Sequence, residues 1–169
     1  MKRQLILHDL PQAEAREILP AASADVTIFS ALPMAKSCIG CFGCWTKNPG
    51  ACVIKDRATE FPVLMATHQE LIVISRMVFG SLSPEIKGVL DRSIGFILPY
   101  FRIVGGEMHH VQRYGQAPKL TYAFYGPGIS RQEEETAKRL VAANGINFDS
   151  RACSAAFFND RESLREVFA

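Results

Sequence analysis

The sequence lacks the features that would place the protein in a membrane, outside the cell or on nucleic acid. No stretch approaches the ~18 apolar residues that a transmembrane helix needs. The apolar run near the start (MKRQLILHDLP) ends at His8, which is too short for a secretory signal. The net charge is only +2, and no run of Lys or Arg forms a basic face. We therefore expect a cytoplasmic protein with no nucleic-acid and no membrane partner.

Internal repeats, low-complexity segments and linkers are also missing. The 169 residues lie within the usual size of one domain, and 48% of them are hydrophobic, enough for an ordinary buried core. We therefore expect one domain that spans residues 1–169.

Short apolar runs alternate with helical patterns along the whole chain. The predicted strands are QLILH (4–8), DVTIFSAL (25–32), ELIVISR (70–76), KLTYAFYG (119–126) and RACSAAFF (151–158). The predicted helices cover residues 11–19, 58–68, 83–98, 130–145 and 160–168. This alternation predicts an α/β fold with a five-stranded parallel sheet, order 2-1-3-4-5, and helices on both faces, as in flavodoxin-like three-layer sandwiches. Ligands of such sheets bind in a crevice at the carboxyl ends of the strands.

Four of the five cysteines lie within fifteen residues, in CIGCFGCWTKNPGAC (38–52). The spacing is close to that of [4Fe–4S] ligands, and Gly40 and Gly43 allow a tight loop. Free thiols in a loop that Trp45 packs are an equal alternative. A four-thiolate zinc site comes third, because two separated Cys-x2-Cys pairs are its usual arrangement. The fifth thiol, Cys153, is expected to be buried and inert in an apolar strand.

Two stretches resemble the flavodoxin-like NAD(P)H-dependent FMN reductases and the related iron–sulfur flavoproteins. CIGCFGCWTKNPGACVIKD (38–56) is similar to their cysteine-rich segment, and SRMVFGSLSPEIKGVLDR (75–92) to their flavin-ring loop and the helix after it. The resemblance implies FMN as cofactor. The implied flavin contacts are Arg76, Met77, Val78, Phe79, Gly80 and Ser81 after the third strand, and Tyr125 and Gly126 after the fourth. The implied cluster ligands are Cys38, Cys41, Cys44 and Cys52.

The loop after the first strand departs from that family. Residues 9–14 contain no Gly, Ser or Thr, and Pro11 has no N–H to offer a phosphate. Asp9 and Glu14 add negative charge where the FMN phosphate normally lies. The sequence is therefore interpreted as a divergent member without the usual phosphate loop, which puts FMN binding by the standard mode in doubt.

Two further groups of residues have an expected role: a pair of histidines beside the crevice and a charged pair on the third helix. His109 and His110, with Glu107 nearby, fall in a polar segment (105–114) predicted to be a loop that covers the crevice or contacts a partner subunit. Asp91 and Arg92 are predicted to form a structural ion pair.

The function expected from the resemblance is electron transfer from NADH or NADPH through a bound flavin to a small-molecule or protein acceptor, in a homodimer. No side-chain acid or base is required for such chemistry, and none is assigned. The alternative is a flavin-free relative that keeps the fold and serves as a cysteine-rich metal-binding or interaction module.

Overall fold

The computed structural model of the protein describes residues 3–169. Within that range the strands are β1 (Gln4–His8), β2 (Val26–Ser30), β3 (Glu70–Arg76), β4 (Ile97–Val104), β5 (Glu107–Gln112), β6 (Lys119–Tyr125) and β7 (Cys153–Phe158). The α-helices are α1 (Gln12–Ile18), α2 (Gly43–Thr46), α3 (Phe61–Thr67), α4 (Pro84–Asp91) and α5 (Arg131–Asn147). Short 3₁₀ helices cover Arg57–Glu60, Ile94–Phe96 and Glu162–Phe168.

Five of the strands form one parallel sheet in the order β2-β1-β3-β6-β7. Counted among themselves, these strands have the predicted order 2-1-3-4-5, so the fold is an α/β fold of the flavodoxin-like kind. The remaining strands, β4 and β5, form a separate antiparallel hairpin between α4 and β6.

Alternation along the central strands divides the core between the two faces of the sheet. Leu5 and Leu7 of β1 pack in a cluster that includes side chains of α3, α4 and α5. Ile6 packs on the opposite face with side chains of α1 and of the last 3₁₀ helix. Helices therefore cover both faces, as predicted for a three-layer sandwich.

The two longest α-helices begin where their serines predicted. The hydroxyl of Ser83 accepts the N–H of Ile86 at 3.4 Å, and that of Ser130 accepts the N–H of Glu133 at 3.3 Å within a capping box. These caps satisfy backbone donors that the helices themselves leave unpaired.

The segment between α4 and β6 differs from the prediction. The third helix was predicted to continue to residue 98, but α4 ends at Asp91, and residues 105–114 are largely a strand rather than a loop. The run from Ile97 to Val104 is rich in β-branched and aromatic residues, which favour strands. Gly105 and Gly106 then take φ values of 58° and 87°, the geometry of a tight hairpin turn.

Cys153 was predicted to be buried, and this was wrong. It is exposed, because β7 is an edge strand whose first residues lie outside the core. None of the helices in residues 3–169 is long and apolar enough to cross a membrane.

Candidate functional site

A buried carboxylate lies at the carboxyl edge of the sheet, beside the ends of β1 and β3. Asp9 directly follows β1 and is 8% exposed. One carboxylate oxygen accepts the backbone N–H of Arg76 at 2.9 Å, and the other accepts the hydroxyl of Tyr125 at 3.0 Å. Burial raises the pKa of Asp9 above its ordinary value, although these hydrogen bonds oppose the shift. The neighbouring strands β1 and β3 define the switch point of this strand order, where ligands of such sheets bind.

The two loops predicted to contact a flavin lie side by side at this edge. The backbone N–H of Met77 donates to the carbonyl of Tyr125 at 2.8 Å. A Cβ built on Gly126 would lie 3.9 Å from the Cβ of Met77. The fold thus brings together, at the carboxyl edge of the sheet, two segments separated by almost fifty residues.

The first of these loops contains a tight turn that exposes an aromatic ring. Val78 and Ser81 exchange backbone hydrogen bonds of 3.0 and 2.9 Å, while Phe79 and Gly80 have φ values of 50° and 77°. A Cβ on Gly80 would lie 2.8 Å from the Cβ of Thr136 in α5, so only glycine fits there. The turn leaves Phe79 91% exposed, and such a ring is free to stack on a flat ligand.

Tyr125, the predicted flavin contact in the second loop, has little free surface. Its side chain is buried and its hydroxyl is engaged by Asp9. The guanidinium carbon of Arg161 lies 5.5 Å from the centroid of its ring. The backbone of residues 125–128 is therefore more accessible to a ligand than the phenol.

The loop after β1 does not fit an FMN phosphate. Pro11 is the N-cap of α1 and no side chain caps the helix, so a phosphate finds no hydroxyl there. Glu14 is paired with Arg161 at 2.6 Å, whereas Asp9 accepts hydrogen bonds from Arg76 and Tyr125 and has no ion-pair partner among residues 3–169. Two unit charges a few Å apart near a protein surface repel by about 1–4 kcal/mol.

The cysteine-rich loop is anchored by an arginine whose burial the sequence did not indicate. Arg92 is 1% exposed, donates to the carbonyl of Ile54 at 2.7 Å and forms an ion pair with Asp56. Although burial opposes it, the hydrogen bond from Arg92 holds the pKa of Asp56 below its ordinary value. The predicted pair of Asp91 with Arg92 was wrong, since Asp91 pairs with Lys87 at 2.6 Å.

The four clustered cysteines belong to this loop, and their side chains are not arranged as a metal site. Cys38 and Cys41 are exposed, whereas Cys44 and Cys52 are buried. Burial raises the pKa of the Cys44 thiol, and the neighbouring thiols raise it further. Within residues 3–169, no group of three or more His, Cys, Asp or Glu side chains is arranged to hold a metal ion. The arrangement does not fit a cluster as it stands, and the four-cysteine ligand set stays a prediction.

Trp45 holds the same loop against the β4–β5 hairpin. Its indole N–H donates to the carbonyls of Ile94 and Ile97 at 3.0 and 2.9 Å. Its ring lies 5.4 Å from that of Phe42 and 4.8 Å from that of His110, between centroids. This packing is what the alternative of a metal-free loop requires.

The two adjacent histidines lie on β5 and have different surroundings. His109 contacts Glu107 and Asn147, each at 3.1 Å. His110 packs against Phe101 with centroids 4.7 Å apart. Both histidines line a cavity of about 420 Å³ beneath the hairpin, between α4 and α5.

No protein-family model matches the sequence, and no curated protein matches it at a significant level. Solved structures match over nearly the whole chain. A proposed quinone reductase from Klebsiella pneumoniae has a TM-score of 0.62 at 12% identity, covering 99% of this chain and 84% of its own. General stress protein 14 from Treponema denticola, solved in complex with FMN, has a TM-score of 0.59 at 12% identity, with coverage of 98% and 90%.

A third structure, the azoreductase AzrA, has a TM-score of 0.58 at 9% identity and covers 98% of this chain and 94% of its own. These likenesses show the fold. It is a flavodoxin-like α/β fold shared with proteins named as quinone reductases and azoreductases.

Proposed function

We propose that the protein is a flavin-dependent oxidoreductase that takes electrons from a nicotinamide cofactor and passes them to a small-molecule or protein acceptor. The observation that carries the proposal is the meeting of loops 76–81 and 125–128 at the switch point of the sheet, joined by the hydrogen bond from Met77 to Tyr125. Support also comes from the shared fold of the FMN-bound stress protein and the azoreductase.

The residues of the crevice would bind and orient the ring of the flavin. Gly80 keeps the turn close to α5, and the exposed ring of Phe79 provides an apolar surface for stacking. Arg76, also exposed, adds a positive charge at the mouth. A bound flavin supplies the hydride acceptance and electron transfer, so the chain needs no side-chain acid or base for the chemistry.

The phosphate end of the crevice sets the preference among flavins. Asp9 lies where a phosphate would approach the sheet edge, and α1 has no capping hydroxyl. We therefore propose that the ring of the flavin, rather than its phosphate, supplies the affinity.

The hairpin supports the further proposal of a homodimer. A two-stranded hairpin is marginally stable alone, and this one exposes four large apolar side chains, Tyr100, Phe101, Ile103 and Met108. Apolar surface of this kind is typical of an interface. A second copy of the chain is the proposed occupant.

Asp9, which is proposed to disfavour FMN, also favours a second candidate function. If the Asp9 carboxylate closes the crevice to every flavin, the functional part of the architecture would be the cysteine loop on its buried Arg92 anchor. The protein would then be a metal-binding or interaction module, with Cys38, Cys41, Cys44 and Cys52 as ligands of a [4Fe–4S] cluster or, as a further alternative, of zinc.

Anaerobic purification followed by a visible spectrum tests the two candidates. The protein is then mixed with riboflavin and either NADH or NADPH, and loss of the visible absorbance of oxidised flavin is followed against a protein-free control. Protein-dependent reduction supports the oxidoreductase. No flavin bound and no reduction with either nicotinamide would leave the metal-binding or interaction module.

A further inference from the structure

A groove lies between α1 and the edge strand β2 and extends to His8 and Gln12 at the carboxyl end of β1. The helix that should cover this part of the sheet, α1, has only seven residues, and Pro20 follows it closely. The groove that remains has a volume of about 830 Å³, within the range of small-molecule sites. None of residues 76–81 or 125–128 lines it.

A buried neutral histidine lies in the wall of this groove. His8, the last residue of β1, is 3% exposed and lines the groove. Its Nδ1 accepts the backbone N–H of Leu10 at 3.2 Å, so in the neutral ring the proton is on Nε2. Burial, with the nearby charge of Arg57, lowers the pKa of His8 to about 4, which keeps the ring neutral near pH 7. The Nε2 of His8 makes no hydrogen bond within residues 3–169, and a ligand can supply an acceptor.

The charge around the groove is of one sign. Arg16 of α1 and Arg57 line it, and no Asp or Glu of residues 3–169 does. Neither arginine takes part in an ion pair within the described chain. Arg57 is held near the groove by its hydrogen bond to the carbonyl of Leu32 and by Phe29, whose ring centroid is 5.3 Å from its guanidinium carbon.

The rest of the lining is mainly apolar. Leu19, Ile28 and Leu32 contribute side chains, together with prolines and alanines of the neighbouring loops. An apolar wall with two unpaired cations and one neutral N–H donor is complementary to an anion that carries an apolar body.

We propose that this groove is a second ligand site that binds a carboxylic acid with an apolar body, and that the Nε2–H of His8 donates to the ligand while Arg16 and Arg57 attract its carboxylate. The proposal does not depend on flavin binding, because none of the residues proposed to contact the flavin ring lines the groove, although Gln12 of the loop after β1 does. None of these residues excludes a flavin that carries a phosphate. The test therefore includes FMN as a competitor.

The probe is decanoate, and the matched neutral control is decanol. Isothermal titration calorimetry of the full chain at pH 7.5 is expected to show saturable binding of decanoate and at least tenfold weaker binding of decanol. Equal binding of the two would overturn the recognition of a carboxylate, and no binding of decanoate would overturn the site. Displacement of decanoate by FMN would also overturn it, since the groove would then belong to the flavin.

A pair of variants isolates the role of His8. In His8→Gln the amide nitrogen takes the position of Nε2 and still donates, whereas in His8→Asn the amide oxygen takes the position of Nδ1 and still accepts from Leu10. Loss of a hydrogen bond to a charged group predicts about 10- to 100-fold weaker decanoate binding in His8→Asn and a smaller loss in His8→Gln. Equal affinities in both variants would contradict the assignment.

A surface variant keeps the test valid if the His8 variants do not fold. Arg16→Gln is expected to weaken decanoate binding several-fold, while Arg131→Gln, on the distant helix α5, leaves it unchanged. Equal effects of the two arginine variants would show that the acid responds only to net charge, and the proposed site would fall.

Discussion

The hydroxyl of Tyr125 donates a hydrogen bond of 3.0 Å to the carboxylate of Asp9, a residue 116 positions earlier in the chain. Together with the bond from the N–H of Arg76, at 2.9 Å, it joins the ends of β1, β3 and β6 through one buried carboxylate. Under the proposed function, Asp9 disfavours a phosphate at this edge of the sheet, while the turn at residues 78–81 leaves Phe79 exposed to solvent. This difference between Asp9 and the exposed turn underlies the proposed preference for the flavin ring over the phosphate.

Phe79 is expected to contribute to flavin binding without contributing to the fold. Because its side chain is 91% exposed, Phe79→Ala should change the free energy of unfolding by no more than about 0.5 kcal/mol. Loss of aromatic stacking, worth about 0.5–1.5 kcal/mol, predicts roughly 2- to 12-fold weaker riboflavin binding. Fluorescence titration checks the affinity and urea unfolding checks the stability.

Two controls accompany that variant. Phe79→Trp should retain the affinity, and Met34→Ala, which alters an exposed apolar side chain outside the two proposed flavin loops, should leave it unchanged. Unaltered riboflavin affinity in Phe79→Ala would remove this ring from the proposed site.

The buried His8 predicts a pH dependence of stability. Its pKa is lowered from 6.5 to about 4, chiefly by burial. Below pH 6.5 the unfolded chain binds a proton that the folded chain does not bind until about pH 4. The stability due to a neutral His8 is therefore complete above pH 6.5 and is lost as the pH falls through that window, to an extent on the order of 3 kcal/mol.

Urea unfolding across pH 4.5–7.5 measures this dependence. In His8→Asn the free energy of unfolding should fall less steeply with decreasing pH than in the wild type. His109→Asn, on the hairpin, serves as the control. Parallel curves for the wild type and His8→Asn would show that His8 does not titrate as proposed.

The exposed face of the hairpin predicts the oligomeric state. If Ile103 and Met108, 68% and 66% exposed, lie in a homodimer interface, Ile103→Glu and Met108→Glu should shift the protein to monomer in sedimentation velocity. Val63→Glu, at an exposed apolar position on α3, is the matched control. A wild-type monomer at high micromolar concentration would refute the dimer.

The cysteine loop predicts a defined pattern of metal content. If the alternative of a metal-binding module holds, iron, sulfide and zinc analysis after anaerobic, metal-replete preparation will find metal that is lost in Cys→Ser variants of Cys38, Cys41, Cys44 and Cys52. Cys153→Ser should keep it, because Cys153 lies on β7, away from the loop. Metal-free protein under these conditions would leave free thiols, with Trp45 and Arg92 as the supports of the loop.

The sequence correctly predicted the elements that are determined by neighbouring residues, such as apolar runs and helix caps. The bounds of β1 and β3 match the apolar runs QLILH and ELIVISR, and Ser130 caps α5 as its capping box indicated. The hairpin was missed although Gly105-Gly106 between two β-rich runs is a hairpin signal. An apolar stretch after α4 can extend a helix or begin a strand, and periodicity alone does not separate the two.

The features of the site that sequence did not reveal depend on distant partners. Arg92 follows an ordinary helical pattern, and only its pairing with Asp56, 36 positions earlier, allows its burial. Glu14 was expected to repel a phosphate, but Arg161 from the end of the chain pairs with it. Asp9 was predicted to disfavour a phosphate, and this stays a prediction, whereas its bond to Tyr125 becomes visible only when β1 and β6 are placed beside β3.

The most direct test of the account is a parallel titration of the wild type and Asp9→Asn with riboflavin and with FMN. The account predicts that the wild type binds both flavins with nearly equal affinity, because the ring supplies the binding energy. Removing the charge of Asp9 should then strengthen FMN binding about tenfold or more relative to riboflavin, while Asp149→Asn on the surface changes neither. A wild type that strongly prefers FMN, or an Asp9→Asn variant with an unchanged ratio of the two affinities, would contradict it.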